Sequence, residues 1–169
     1  MKTTQEQLEL AKQASNKLRT ATTEQKNNFL NKLANLLLEN NEEILSENKK
    51  DLDGAENLTK AMEKRLMLTK ELLQGMSQGL REIAEGEDPI GVIEEKWKRP
   101  NGMEVGKMRV PIGVIVFVYE SRPNVIIDAA GLCIKSGNIL IARGGKEAIY
   151  SNTVLLKQIQ QALQESDLD

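Results

Sequence analysis

The stretch of residues 109–148 constrains the fold of this chain more than any other. Residues 112–119 are an almost unbroken apolar run rich in β-branched side chains, which is typical of a strand covered on both faces in a parallel sheet. Residues 138–143 repeat the pattern on a shorter scale. The segment between the two runs is long enough for one crossover helix, so the sequence predicts a right-handed β-α-β unit.

The crossover segment carries helix signals at both ends. Pro123 suits a first helical position because its missing N–H would have no partner there, and Ser121 or Arg122 lies in the cap region. Gly137 is a natural residue to follow the last turn, because it adopts a positive φ without strain. Polar residues come after both strands, and ligands of open α/β sheets bind beyond the carboxyl ends of the strands. We therefore expect the functional site at this edge.

Residues 1–89 have the periodicity of amphipathic helices. Five stretches predict helices at about 4–20, from Thr22 or Thr23 to about 40, and at about 42–52, 59–68 and 69–84. Thr4 to Gln7 fit a capping box at the start of the first helix. The apolar faces are expected to pack on one another or on the sheet, with binding of a partner helix as the alternative.

Residues 90–110 change to a pattern of period two. The segment Arg99-Pro-Asn-Gly is strong turn chemistry, so two antiparallel strands are expected on either side of it. An isolated two-stranded ribbon is marginal in water, so this hairpin needs a partner, either another subunit or its own chain.

The remainder of the chain adds one helix and no further strand pattern. After residue 143 a last helix is expected to start at Ser151 or Asn152. Two parallel strands are too few for a stable core, so the sequence is expected to be truncated inside a doubly wound α/β domain. The predicted organisation is a helical segment at 1–89, a hairpin at 90–110 and the first half of the α/β domain at 111–169.

The composition argues against several classes of function. A net charge of −2, with one Trp, two Tyr and two Phe, argues against a nucleic-acid surface. The single Cys rules out an internal disulfide, and without His no group of side chains has metal-ligand spacing. No apolar run reaches about 18 residues, so nothing directs the chain to a membrane. A cytoplasmic, metal-free protein is expected.

Three motifs carry a resemblance to a known family. YESRPNV (119–125), LCIKSGN (132–138) and RGGKEA (143–148) resemble the corresponding segments of γ-glutamyl phosphate reductase (glutamate-5-semialdehyde dehydrogenase), a branch of the aldehyde dehydrogenase superfamily. The helical segments before them are also similar to the amino-terminal part of that family. The resemblance covers nearly the whole chain but only part of the family protein, whose nucleophilic Cys, in a Pro-Ser-Thr-Cys-Asn context, has no counterpart here.

The resemblance implies an NADPH-dependent reduction in proline biosynthesis. The substrate would be L-glutamate 5-phosphate and the product L-glutamate 5-semialdehyde, formed through a thioacyl-enzyme on the Cys that this chain lacks. Residues 111–169 would be the first half of an NADP-binding, Rossmann-like domain. The 90–110 hairpin would join a homo-oligomer, and glutamate 5-kinase is a further candidate partner. The alternatives are a non-catalytic nucleotide-binding or assembly module, or one half of a split enzyme.

Asn124 and Arg122 are the residues that the resemblance places next to the reacting carbonyl. Asn124 matches the Asn of the superfamily's Pro-Trp-Asn motif, whose side-chain amide is a donor of the oxyanion hole; the plainer alternative is a local cap. Arg122 stands where Trp is usual in the superfamily. Its cation suits a phosphorylated substrate, although an ordinary surface ion pair is the alternative.

The cofactor residues implied by the resemblance lie at both strand ends. Arg143, Gly144, Gly145 and Lys146 stand in place of a Lys-Pro-Ser-Glu motif that contacts the adenosine ribose. Lys146 in the place of that Glu would attract a 2′-phosphate, which implies NADP(H). Tyr119, Glu120 and Ser121 would border the cofactor through their backbone atoms. From the residues alone, this pattern is only a weak phosphate signal and a solvated turn is favoured, because Gly-x-Gly-x-x-Gly is absent.

Cys133 is not expected to be a nucleophile. It lies inside an apolar helix, between Leu132 and Ile134, and the chain has no His to act as its base. A buried thiol has a raised pKa and is inert, so Cys133 is predicted to be part of the core.

Overall fold

The structure is a computed structural model that describes residues 3–55 and 58–168. Within these residues it contains seven α-helices and four strands. In chain order they are α1 (Thr4–Leu18), α2 (Thr23–Glu39), α3 (Asn41–Gly54), α4 (Lys60–Leu66), α5 (Lys70–Glu85), β1 (Ile93–Lys98), β2 (Glu104–Met108), β3 (Val114–Val118), α6 (Asn124–Lys135), β4 (Ile139–Arg143) and α7 (Ile149–Gln164). A single 3₁₀ turn, Lys146–Ala148, precedes α7.

The five predicted amino-terminal helices are present, and α1, α2, α3 and α5 contribute to one apolar core together with α6 and α7. Helix α2 lies at its centre, where it packs against α5 and α7. In α2, no surface is exposed on Phe29, Leu30, Leu33 and Leu37. Burial of this apolar area stabilises the fold by about 25 cal/mol per Å². Core packing, rather than exposure to a partner helix, therefore accounts for this face.

The first capping box lies one residue earlier than predicted. Thr3, not Thr4, is the N-cap of α1: its hydroxyl accepts a hydrogen bond from the Glu6 backbone, and the Glu6 carboxylate accepts one from the Thr3 backbone. A carboxylate is a stronger acceptor than the carboxamide of Gln7, which explains the choice. The second box is formed by Thr22 and Gln25, within the predicted range.

The predicted β-α-β unit is confirmed. Strands β3 and β4 pair in parallel, with Val114 opposite Ile139 and Val118 opposite Arg143, and α6 forms the crossover. Gly137 follows α6 with φ +69°, and the backbone N–H groups of Gly137 and Asn138 donate to the last turn of the helix.

The expectation that β3 is covered on both faces is wrong for the described residues. Helices α1 and α6 pack against this two-stranded sheet. On β3, Val116 remains 61% exposed and Val118 70% exposed. Their apolar character is the signal that predicted double coverage, and no described element covers them.

The residues at 90–110 form the predicted hairpin. Strands β1 and β2 are antiparallel, and Gly102 adopts φ +85° in the turn between them. Every residue of β1 is exposed, so outside its pairing with β2 the strand is not buried against its own chain. Its role in an oligomer stays a prediction.

The predicted cap of the last helix is wrong. Ser151 lies inside α7, which begins at Ile149. The free N–H groups of Tyr150 and Ser151 instead donate to the buried carboxylate of Asp51 on α3, at 3.0 and 2.7 Å. This cap comes from a residue distant in the sequence, which local turn chemistry does not reveal.

Candidate functional site at the carboxyl edge of the parallel sheet

The carboxyl ends of β3 and β4 bring together the two polar segments singled out in the sequence. The Tyr119 N–H donates to the Arg143 carbonyl at 3.0 Å, which continues the ladder by one bond. The Ser121 hydroxyl then donates to the Glu147 carboxylate at 2.8 Å. The pKa of Glu147 is lowered chiefly by a hydrogen bond from its own backbone N–H and further by this bond from Ser121. The two segments are therefore held side by side as expected.

Gly144 and Gly145 allow this close approach. A Cβ at Gly144 would lie 2.9 Å from the ring of Tyr119, and one at Gly145 would lie 2.5 Å from the Ser121 hydroxyl oxygen. Neither glycine has a positive φ. These two glycines therefore serve close packing of the backbone rather than a left-handed conformation.

Tyr119 and Glu120 have separate environments. The Tyr119 hydroxyl donates to Asn152 at 2.9 Å, and burial raises the pKa of this phenol, so it is protonated at neutral pH. Glu120 is exposed and forms an ion pair with Arg65 of α4 at 3.0 Å.

Asn124 is the first residue of α6 and its carboxamide is free. The helix has no side-chain cap hydrogen bond, and within residues 3–55 and 58–168 no hydrogen-bond partner of the Asn124 side chain is found. The local capping role is thus not realised. A partly exposed amide without a partner in the protein can donate to a ligand.

Asn124 and Arg122 line one open cleft of about 520 Å³. Its other described lining residues come from α4, from the residue that follows it and from the start of α5: Ala61, Lys64, Arg65, Met67 and Leu72. Sequence reasoning missed this wall, because nothing local in α4 signals which distant residues it will face.

Lys146 lines a different groove, of about 490 Å³. It is exposed there and shares the groove with Lys50 of α3 and with Tyr150, whose ring lies 5.8 Å from the Lys50 ammonium. Lys50 also pairs with Glu47 at 2.5 Å. The structure thus separates Arg122 and Asn124, which line one cleft, from Lys146, which lines another. The segment after β3 contributes to the first and the segment after β4 to the second.

Cys133 lies in the core, 6% exposed. Burial raises the pKa of its thiol.

We expect Cys133 to resist a water-soluble thiol reagent in the folded protein and to react readily in denaturant. Both burial and the raised pKa reduce the amount of thiolate that a reagent can reach. The measurement is the rate of modification of Cys133, by mass spectrometry, with and without guanidinium. Equal rates in the two solvents would contradict the assignment to the core.

The part of the chain that the structure describes contains neither a candidate metal site nor a candidate membrane-spanning helix. No group of three or more His, Cys, Asp or Glu there could hold a metal ion. No helix there has the length and apolar character needed to span a bilayer.

Comparison with known proteins identifies close relatives of the chain. No family model matches it. Over 162 residues it is 51% identical to a γ-glutamyl phosphate reductase of Clostridium botulinum, a match that covers 95% of this chain and 39% of the relative. The chain therefore spans about two fifths of the length of the curated relatives it matches, and the resemblance stated from its sequence is confirmed.

Solved structures agree with this result. The crystal structure of γ-glutamyl phosphate reductase from Thermotoga maritima superimposes with a TM-score of 0.93 at 34% identity, over 97% of this chain and 40% of that one. An NAD-dependent benzaldehyde dehydrogenase from Corynebacterium glutamicum has a TM-score of 0.73 at 18% identity, over 94% of this chain and 33% of that one. The chain thus has part of the aldehyde dehydrogenase fold.

Proposed function

We propose that this chain is part of a γ-glutamyl phosphate reductase, a cytoplasmic enzyme of proline biosynthesis. The reaction reduces L-glutamate 5-phosphate to L-glutamate 5-semialdehyde with NADPH and releases phosphate. The observation that carries the proposal is the 51% identity to a protein of that name over 95% of this chain. The fold agrees, since the Thermotoga maritima structure of that name superimposes with a TM-score of 0.93.

The proposal can be tested in a chimaera in which residues 1–169 replace the matching segment of the Clostridium botulinum reductase. The assay is phosphate-dependent reduction of NADP⁺ with glutamate semialdehyde, followed by the absorbance of the reduced nicotinamide. Turnover comparable to that of the parent enzyme supports the proposal. A folded chimaera that binds NADP⁺ but shows no turnover would contradict it.

Asn124 is proposed to stabilise the oxygen of the reacting carbonyl. In the proposed mechanism a thiolate, supplied by the rest of the reductase, attacks the acyl phosphate carbon and the carbon–oxygen bond to phosphate breaks. Negative charge develops on the carbonyl oxygen in this step and again when the thioester is reduced. A free amide N–H at the start of α6 can donate to that oxygen, which is stabilised most when the donor is already in position.

The NADPH cofactor is proposed to bind along the ends of β3 and β4, and when bound it supplies the hydride. The residues present fit the group in two respects. Gly144 and Gly145 carry no side chain that would separate the two segments. Lys146 is exposed in a groove that also contains the Lys50 ammonium and the carboxylates of Asp51 and Glu147. Asp51 accepts hydrogen bonds from Tyr150 and Ser151, and Glu147 accepts one from Ser121, so Lys146 can present its charge to a 2′-phosphate.

We expect Lys146→Glu in the chimaera to weaken the binding of NADPH much more than the binding of NADH. The two cofactors differ only in the 2′-phosphate, and a charge-assisted hydrogen bond to it contributes about 1.5–3 kcal/mol, or about 10- to 150-fold in Kd. Titration of both cofactors measures the difference, with Lys12→Glu, an exposed change on α1, as the matched control. Equal losses for NADPH and NADH would remove Lys146 from this role.

A further inference from the structure

Helix α4 presents one stripe of side chains to the cleft that contains Asn124. Ala61, Lys64 and Arg65 all line this cleft, and their spacing of three and four residues places them on the same face of the helix. Lys60 lies on the same helix but does not line the cleft. The cleft therefore has two walls, one formed by α4 and one by Arg122 and Asn124.

This cleft carries an excess of positive charge. Its described lining residues include three cations, Lys64, Arg65 and Arg122, and no carboxylate. In a chain whose net charge is −2, such a local excess of positive charge creates a field that attracts anions.

Glu120, the carboxylate that pairs with Arg65, does not neutralise the positive charge of the cleft. Glu120 pairs with Arg65 at 3.0 Å, but the Glu120 side chain is 75% exposed and that of Arg65 is 48% exposed. Exposed ion pairs of this kind contribute little, about 0–1 kcal/mol. An incoming anion can therefore replace Glu120 as a partner of Arg65, or share the guanidinium with it through unused N–H groups.

The remaining lining residues suit a short aliphatic chain between charged groups. Met67 and Leu72 are 41% and 43% exposed and give this cleft an apolar portion beside its cations. L-Glutamate 5-phosphate, in which two methylene groups join the charged α-carbon to the reacting carbonyl, has this alternation of polar and apolar parts.

We propose that Lys64 and Arg65 bind an oxyanion of the substrate, opposite Arg122 and next to Asn124. This inference rests on the proposed function and adds to it the α4 wall of the substrate site. The chemistry that the cleft recognises is a cluster of anionic oxygens. The substrate offers two sources of such oxygens, its phosphoryl group and its α-carboxylate.

The first experiment changes the two cations in the chimaera. Lys64→Met with Arg65→Met is expected to raise the KM of inorganic phosphate or of glutamate semialdehyde by about tenfold or more, because removing a charge-assisted hydrogen bond weakens binding by about that factor. The KM that rises identifies the phosphoryl site or the α-carboxylate site. Lys60→Met is the matched control and is expected to leave both KM values within about twofold of the parent. Unchanged KM values in the double variant, or a fall in kcat alone, would overturn the inference.

A separate variant distinguishes binding from positioning. If Arg65 acts only by holding Glu120, Glu120→Gln should raise the same KM as the loss of Arg65. If Arg65 binds the anion, Glu120→Gln removes a competing carboxylate and the KM should fall. A rise in KM for Glu120→Gln would therefore contradict the role in binding.

A footprint keeps the inference testable if the chimaera proves inactive, an outcome that would count against the proposed function alone. Lysine acetylation in the folded chimaera is measured by mass spectrometry without additive, with inorganic phosphate and with L-glutamate. An oxyanion site is supported if phosphate or L-glutamate slows acetylation of Lys64 but not of Lys60. The compound that protects Lys64 then identifies the group that is bound. Equal acetylation of Lys64 under all three conditions would overturn it.

Discussion

Asn124→Ala in the chimaera is expected to lower kcat by about 10²- to 10³-fold, with the KM of NADP⁺ unchanged within about twofold. The reason is geometric. Asn124 starts α6 directly beyond the end of β3, and no described hydrogen bond engages its carboxamide. Its N–H is therefore available to an oxygen that gains charge, and such a donor acts mainly on the transition state.

Two further variants separate this role from a structural one. Asn124→Asp keeps the size of the side chain but replaces the donor with a negative charge, so its loss of kcat should be at least as large as that of Asn124→Ala. Asn16→Ala is the matched control, since Asn16 is an exposed helical Asn on α1. Near-normal kcat in Asn124→Asp would show that Asn124 contributes shape rather than a hydrogen bond.

The β-α-β unit could be predicted because its signals are local. The apolar runs at 112–119 and 138–143, and Pro123 and Gly137 between them, each act on the backbone within a few residues. Parallel pairing then requires the two strand ends to meet at one edge. The adjacency of the segments that follow residues 118 and 143 follows from that topology, and the structure confirms it in the hydrogen bonds from Tyr119 to Arg143 and from Ser121 to Glu147.

Buried polar contacts between distant helices could not be predicted. Asn48 of α3 is 1% exposed. Its amide donates to the Leu66 carbonyl at 2.8 Å and to the Ser151 hydroxyl at 2.9 Å, and its oxygen accepts from Leu68 at 2.8 Å. In the sequence, Asn48 is one polar residue in an amphipathic helix. Asn48 links these segments only once α3 packs against α7. Buried polar groups need hydrogen-bond partners, and those partners are rarely neighbours in the chain.

Lys135 illustrates the same limit for a charged residue. It is 5% exposed, and its ammonium donates to the Ala84 and Gly86 carbonyls at 2.9 and 2.6 Å and to Asn27 at 2.8 Å. Burial lowers the pKa of this amine, and the carbonyls at the end of α5 compensate for the desolvation by accepting its hydrogen bonds. A Lys in the last turn of a predicted helix is expected to be solvated, so its position alone did not indicate this contact.

The division of the candidate site between two clefts was also beyond the sequence. Asn124 and Lys146 follow adjacent strands, yet each shares its cleft with a different helix, α4 for Asn124 and α3 for Lys146. Those neighbours are set by helix packing in the core, where the pattern of apolar side chains specifies a buried face but not the identity of its partner.

A polypeptide of residues 1–169 alone is expected to show no detectable turnover of glutamate semialdehyde, although it carries Asn124 and Lys146. Its only thiol, Cys133, is buried in α6, and the sequence contains no His. Loss of the nucleophile from a covalent mechanism costs about 10⁶-fold in kcat. An oxyanion donor cannot compensate, because it stabilises charge only where a nucleophile generates it.

The exposed face of β3 is a second reason to expect no turnover by residues 1–169 alone, and it suggests a stronger test. Val116 and Val118 are 61% and 70% exposed, and a dinucleotide cleft of a doubly wound sheet needs further strands beside the first two. The NADP⁺ reduction assay is therefore made on residues 1–169 alone, on the remaining segment of the Clostridium botulinum reductase alone, and on their mixture. Turnover in the mixture only would show that this sheet face accepts the rest of the enzyme in trans, as in a split enzyme. Turnover by residues 1–169 alone would contradict both the assignment of Cys133 to the core and the proposal that the nucleophile lies elsewhere.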